Sequence, residues 1–376
     1  MRFVIKIGTS LLTTPEHKLD EAFLKRVIGE IADIKQKGND VVIVSSGAVA
    51  AGRSEMSFEK EKKNIPYRQA LAAIGQGILM KTYHDFFARQ GIAVAQALLT
   101  NYDFTNRENF LNTKNVFELL LKQNAVPVVN ENDVTTVAEL KFGDNDMLSA
   151  KTAAMVSADF LIILTDVDGL FLEDPKNNPH AKLIPVVEKV DESVKKLARG
   201  ARSTSSLGGM VTKLEAAEYV TSVGIPMFIV SGRQEGVLRK IVAFCEKKDM
   251  LRQAKHDMKA TFFPSSVNRL ASQKKWLKPK LHKNAWIEID AGAQKALMEM
   301  GKSLLPKGVM SVHGDFRRGD VVSVKCNKKE IGYGQINYDA VDVDKIKKHH
   351  SDEIEQILGF SFEEELIHRD RLVIQH

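Results

Sequence analysis

The chain is poor in cysteine. Its 376 residues include only Cys245 and Cys326, far apart and with no Cys or His at ligand spacing. That excludes a disulfide scaffold and a zinc site, and makes reduced thiols the expected state. Long hydrophobic runs are also missing, and none approaches the ~18 residues that a membrane span needs. The opening Met1-Arg2-Phe3-Val4-Ile5-Lys6 carries no apolar core and no small-residue cleavage site, so no export is expected and the cytoplasm is the expected compartment. Two catalytic signatures are absent. Without a G-x-S-x-G elbow there is no support for hydrolase chemistry. Without G-x-x-x-x-G-K-[ST] there is no Walker A loop. No internal repeat is visible, and His84, His180, His349 and His350 are scattered.

What the chain does have is ordinary globular usage, with 44% hydrophobic and 27% charged residues. Its length suits two or three domains. The formal charge of +6 is uneven, because residues 247–283 hold 11 Lys and Arg against 2 Asp. A basic stretch confined to the middle reads as a solvated connector, with an RNA-contacting strip as the alternative.

Apolar runs at residues 2–7, 41–44, 92–99, 125–129, 160–164 and 227–230 read as strands. They alternate with helical stretches at 20–37, 67–89, 109–123, 146–157 and 207–223. In the first of these helices Phe23, Leu24, Val27, Ile28, Ile31 and Ile34 recur at steps of three and four. Strands apolar on both faces predict an α/β fold with a mostly parallel open sheet sandwiched by helices. Beyond residue 247 the pattern changes. Short strands at 286–289, 308–312, 320–325 and 331–335, parted by glycine turns, predict a small β-barrel-like domain. The expected division is a catalytic domain at 1–250, a basic linker at 251–282, the small domain at 283–361 and a tail at 362–376.

Open α/β sheets bind ligands beyond the carboxyl ends of their strands, and chemistry-bearing residues cluster at those positions here. Lys6-Ile7-Gly8-Thr9-Ser10 ends the first strand, offering a cation and approachable backbone N–H groups to a phosphate. Ser45–Gly52 follows the second strand and is built of small residues, which suit either a ligand or tight helix packing. Asn130-Glu131-Asn132-Asp133 and Gly143-Asp144-Asn145-Asp146 are acidic-amide turns that could bind an ammonium, orient lysines or hold Mg²⁺, or could simply cap turns and helices. Thr165-Asp166-Val167-Asp168 follows a further strand. Gly208-Gly209-Met210-Val211-Thr212-Lys213 opens a helix as an anion cradle with a lysine one turn in.

This ordered set resembles the amino-acid kinase family, specifically the glutamate 5-kinases with a C-terminal PUA domain. Leu304-Leu305-Pro306-Lys307-Gly308 and Gly314–Val321 resemble the PUA part. The resemblance implies ATP-dependent phosphorylation of the L-glutamate γ-carboxylate to L-glutamyl 5-phosphate, with ATP and Mg²⁺. It implies Lys6, Gly8, Thr165, Asp166, Leu207, Gly208, Gly209, Met210, Val211, Thr212 and Lys213 at the nucleotide, and Ser46, Asp133 and Asn145 at glutamate. Asp146 would orient Lys6 and Lys213, and the three would form the catalytic set. The metal carboxylates stay open among Asp144, Asp146, Asp166 and Asp168. The family pattern departs at Leu207 and Val211, where hydroxyl residues are usual, so only backbone contacts to phosphate are expected there. The resemblance also implies proline as a feedback inhibitor, glutamyl phosphate reductase as a partner and a homo-oligomer. The competing readings are another acyl-phosphate-forming kinase of this fold and an RNA-binding protein acting through its PUA-like domain.

The implied chemistry suits residues that include no histidine base. A carboxylate with a solution pKa near ~4.3 is already an anion at neutral pH and needs no deprotonation. The obstacle is bringing that anion to a polyphosphate, which positioning and positive charge overcome.

Overall fold

The apolar runs become strands because β-branched residues pack well on a pleated surface covered on both sides. The computed structural model describes all residues except 17, 57–64, 137–144, 176, 201–208, 247–257, 266–280 and 375–376. It forms two units, Met1–Ser266 and Val267–His376. In the first unit the strands are β1 (Arg2–Ile7), β2 (Asp40–Ser45), β3 (Val94–Leu99), β4 (Val126–Glu131), β5 (Phe160–Thr165), β6 (Met227–Ser231) and β7 (Ala260–Phe263). Their order in the sheet is β3-β4-β2-β1-β5-β6-β7. All neighbours are parallel except β6 and β7. The chain passes from β1 to β2 on one side and later returns to place β5 on the other. The switch point therefore lies at the carboxyl end of β1, between β2 and β5.

Ten helices of this unit are described: α1 (Thr9–Leu12), α2 (Glu21–Gln36), α3 (Ala48–Glu55), α4 (Ile65–Ala88), α5 (Asn101–Thr105), α6 (Arg107–Lys122), α7 (Asn145–Met155), α8 (Glu192–Gly200), α9 (Met210–Ser222) and α10 (Val237–Cys245). Alternation along β1 sends Phe3, Ile5 and Ile7 into one core, with α2, α4 and α10. Val4 faces the other core, with α7 and α9. Lys6 has the same parity as Val4, so it points toward α7 and α9.

Helices α3 and α4 pack unusually close. A Cβ built on Gly75 would lie 1.8 Å from the carbonyl oxygen of Ala48, and one on Gly52 would lie 2.1 Å from that of Leu71. Only glycine permits backbones to meet at that separation.

The second unit holds a five-stranded sheet of β8 (Leu281–Ile289), β9 (Val309–His313), β10 (Val321–Cys326), β11 (Lys329–Gln335) and β12 (Leu372–Ile374), in the order β12-β11-β10-β8-β9. Its core includes Ile287, Val324, Tyr338 and Ile367. Asn327 and Lys328 both have positive φ, the geometry of a two-residue hairpin turn between β10 and β11.

Three expectations from sequence change. Residues 260–263, inside the span expected to be linker, form β7; Phe262 joins one core and Phe263 the other. The surrounding lysines hide this four-residue apolar segment. Residues 372–374, inside the expected tail, pair with β11. Helix α9 begins at Met210 rather than 207, with Gly209 as its N-cap. Most of the basic stretch lies outside the described residues.

Candidate active site

A carboxylate buried between two lysines forms the centre of the site. Asp146 sits in the first turn of α7 with its side chain fully buried. Lys6 Nζ lies 2.6 Å from its Oδ1, and Lys213 Nζ lies 3.0 Å from its Oδ2. Both lysines are buried as well. Lys6 arrives on β1 and Lys213 on the first turn of α9. Small buried residues of α7, among them Ser149, Ala150 and Ala153, bring these elements together. Asp146 is therefore inside the helix and bridges two cations. It is not the N-cap that the sequence alone left open.

Burial by itself raises the Asp146 pKa. The opposing charges of Lys6 and Lys213, with their hydrogen bonds, outweigh it and hold the carboxyl well below the usual carboxylate range. Thr212 Oγ1 lies 2.9 Å from Asp146 Oδ2 and 2.8 Å from the carbonyl oxygen of Gly209. It can donate its proton to either.

The preceding residue faces elsewhere. One step along a helix turns the side-chain direction by about 100°. Asn145 thus leaves the charged centre and directs its Nδ2 to Ser45 O at 2.9 Å, Ser46 Oγ at 3.0 Å and Asn130 Oδ1 at 3.0 Å. Asn130 Nδ2 donates in turn to Gln76 Oε1 at 2.9 Å. The carbonyl oxygen of Asp133 accepts from Gln69 Nε2 at 2.8 Å. Two neighbouring residues of α7 therefore join a polar amide cluster to a dense charge centre.

Gly8 lies beside Lys6: its N–H donates to Leu164 O at 3.1 Å, and a Cβ there would stand 3.8 Å from Lys6 Nζ. Thr165 ends β5 and donates to Asp166 Oδ1 at 3.1 Å. Asp168 Oδ1 accepts from Gln234. Met210 and Val211 open α9 just ahead of Thr212 and Lys213, where unpaired helical N–H groups favour an anion. Leu207, Gly208 and Asp144 lie outside the described residues. The structure thus joins Lys6, Asp146, Thr212 and Lys213 in one bonded group, and Ser46 and Asn145 in a second. It sets Gly8, Thr165 and Asp166 at the strand ends beside them.

Sequence reasoning missed Gln69 and Gln76, and the direct bond from Thr212 to Asp146. A signal existed for the first two. They are seven residues apart, which puts them on one face of a helix.

A model of the amino acid kinase family matches residues 1–231, and one of the PUA domain matches residues 285–358. A glutamate 5-kinase of Caldanaerobacter subterraneus subsp. tengcongensis is 42% identical over 375 residues, covering 100% of this chain and 98% of its own length. One of Carboxydothermus hydrogenoformans is 43% identical, covering 99% of this chain and 97% of its own. Among solved structures, an isopentenyl phosphate kinase covers 66% of this chain and 98% of its own at 19% identity, with a TM-score of 0.46. Family models match both units, and the two glutamate 5-kinases align from end to end. The chain belongs to the amino acid kinase family, within its glutamate 5-kinase branch.

Proposed function

We propose that the chain transfers the γ-phosphoryl group of ATP to the γ-carboxylate of L-glutamate, giving ADP and L-glutamyl 5-phosphate, the first step of proline synthesis from glutamate. The observation that carries this reading is the pair of buried ammonium groups on opposite oxygens of Asp146. A carboxylate oxygen of the substrate attacks the terminal phosphorus as the bond to the bridging oxygen of ADP breaks. Negative charge grows on the bridging oxygen and spreads over the transferring oxygens. Lys6 and Lys213 are the residues that meet that charge. Asp146 sets their positions, so they need no reorganisation during the reaction.

Gly8, Thr165, Asp166 and the start of α9, from Gly209 to Lys213, are assigned to the nucleotide. Ser46, Asn145 and Asp133 are assigned to glutamate, with the Asp133 carboxylate suited to the ammonium. Among the described residues no group of three His, Cys, Asp or Glu could hold a metal ion. Both Asp146 oxygens already face lysines. Mg²⁺ arriving with ATP would supply further charge neutralisation at the transferring phosphate, with Asp166 and Asp168 as the described candidate carboxylates.

Described helices include none long and apolar enough to cross a membrane. A cytoplasmic location is part of the proposal. So are feedback by proline, a homo-oligomer, and a reductase that consumes the labile acyl phosphate.

The test is hydroxamate formation with ATP, Mg²⁺ and a panel of acceptors: glutamate, aspartate, acetylglutamate and carbamate. Glutamate should give the largest kcat/KM by at least ~100-fold, a margin within reach of a site that pairs both ends of its substrate. Preference for another acceptor, or no glutamate-dependent product, overturns the assignment.

A further inference from the structure

We infer that helix α4 braces the acceptor side of the site, and that Gln69, Gln76 and Tyr83 are positioning residues that orient the groups assigned to the acceptor amino acid and so sharpen its selection. The inference rests on the glutamate reading above. The three residues follow one another at steps of seven along α4. Each step is two turns less about 20°, so all three share one stripe. Each one holds a different part of the segments assigned to the substrate.

Gln69 Nε2 donates to the backbone oxygens of Asp133 at 2.8 Å, Thr136 at 3.3 Å and, more weakly, Val134 at 3.5 Å, which holds the turn carrying Asp133. Gln76 Oε1 accepts from Asn130 Nδ2. Tyr83 OH and Ser45 Oγ are 2.9 Å apart. Ser45 Oγ also reaches Ser46 O at 2.9 Å, and either hydroxyl of the Tyr83–Ser45 pair can be the donor. Tyr83 is fully buried, and that burial raises its pKa, so the phenol keeps its proton.

Gln76 sets more than its own bond. Asn130 Oδ1 already accepts from Glu131 N at 2.9 Å and from Asn145 Nδ2. Asn130 Nδ2 must therefore face an acceptor, and Gln76 Oε1 provides it. The same chain decides which way Asn145 is turned. With its NH₂ committed to Ser45, Ser46 and Asn130, the Asn145 amide keeps its oxygen as an acceptor.

The helix that carries this stripe is held in place at the Gln76 level. Gly75 packs directly on the Ala48 carbonyl, two residues beyond Ser46. The pairing of β2 with β4 sets the spacing of the Ser45 and Asn130 strand ends, and α4 braces the turns that follow them through three polar side chains and one glycine contact. None of the three bonds ends on Lys6, Thr212 or Lys213, so their loss acts first on the acceptor side.

The experiment uses the full chain with Gln76→Met, Gln69→Met and Tyr83→Phe, each close in shape but unable to make its bond. Hydroxamate formation is followed with glutamate and with aspartate, one methylene shorter. Expected for Gln76→Met and Gln69→Met is a rise in glutamate KM of at least about 5- to 10-fold, the scale of one lost hydrogen bond, with Gln69→Met losing more than one. ATP KM should stay within twofold, and the glutamate-to-aspartate ratio of kcat/KM should fall. Tyr83→Phe should move the same ratio by a smaller factor. Equal changes in both KM values, or an unchanged ratio in folded variants, overturns the inference. Gln69 is only half-buried, so Gln69→Met decides the matter if Gln76→Met does not fold. A wild-type protein inactive toward glutamate overturns the underlying function instead, which separates the two failures.

Discussion

Lys6 and Lys213 come from opposite ends of the kinase unit, yet their ammonium groups close on the two oxygens of the same carboxylate, at 2.6 and 3.0 Å. Two buried cations this near each other repel strongly, and the charge of Asp146 between them offsets that repulsion. Asp146→Asn keeps the shape and removes that charge. Breaking a buried ionic group by deleting one member costs about 3–5 kcal/mol. Urea denaturation should show a loss of that order. Turnover should fall by at least ~100-fold, as when a preorganised charge contact is removed. A variant as stable and as active as wild type would sink the bridging role.

The same carboxylate makes a pH prediction. Its folded pKa is depressed below the unfolded value of about 3.9. The unfolded state therefore binds the proton first as pH falls. The stability that Asp146 contributes is complete above pH ~4 and is lost progressively below it. Wild type should lose stability between about pH 4 and pH 2 more steeply than Asp146→Asn, which has nothing to titrate there. Parallel urea curves at pH 4.5, 3.5 and 2.5 compare the two slopes.

Removing a lysine should act on the chemical step. Lys6→Ala and Lys213→Ala should lower kcat by about 100-fold or more while glutamate KM changes by less than threefold. Lys213→Arg should not restore turnover, because a planar guanidinium cannot occupy the place of a compact ammonium packed against Asp146 and Thr212. Asp133→Ala should show the reverse split, with glutamate KM raised and ATP KM little changed. Steady-state kinetics with each substrate varied in turn distinguishes these patterns.

Thr212 supplies a smaller term. Its hydroxyl is 2.9 Å from the Asp146 oxygen that Lys213 also reaches. Thr212→Val loses the hydroxyl and keeps the branched shape. A fall in kcat of about 5- to 10-fold is expected, in keeping with one hydrogen bond to a charged group, with recovery in Thr212→Ser. If Ser and Val behave alike, the hydroxyl has no part in holding the carboxylate.

The charge centre was legible because its chemistry leaves unusual residues in unusual places. A lysine ending an apolar strand and another just after paired glycines are odd enough to notice. The parallel sheet was legible too, since its strands are apolar on both faces. Helix α4 hid its role. Gln69 and Gln76 look like surface glutamines on a helix, and only the fold turns their stripe toward Asn130 and Asp133. Asp146 read equally well as a cap, because the sequence cannot tell a first-turn residue pointing inward from one capping the end. Strand β7 was masked by the charge around it, although Phe262 and Phe263 are packed into opposite cores.

Two glycines on α4 offer a paired test of how tightly that helix is held. A Cβ on Gly77 would meet nothing within 4 Å, and the position is exposed. Gly77→Ala should therefore stabilise the protein by about 0.5–1 kcal/mol, the ordinary gain for alanine inside a helix. A Cβ on Gly75 would stand 1.8 Å from the Ala48 carbonyl oxygen and 2.3 Å from the Gly52 nitrogen. These are backbone atoms, and no rotamer change can relieve the overlap, so α3 and α4 must part. Overpacking of this kind costs about 1–3 kcal/mol or more, which outweighs the helix-propensity gain. Gly75→Ala should lower Tm while Gly77→Ala raises it. Because the displaced α3 follows directly from Ser46, Gly75→Ala should also raise glutamate KM by several-fold. Thermal melts and glutamate titrations of the two variants check both halves, and a Gly75→Ala protein matching Gly77→Ala in each would show that the helices are not in backbone contact.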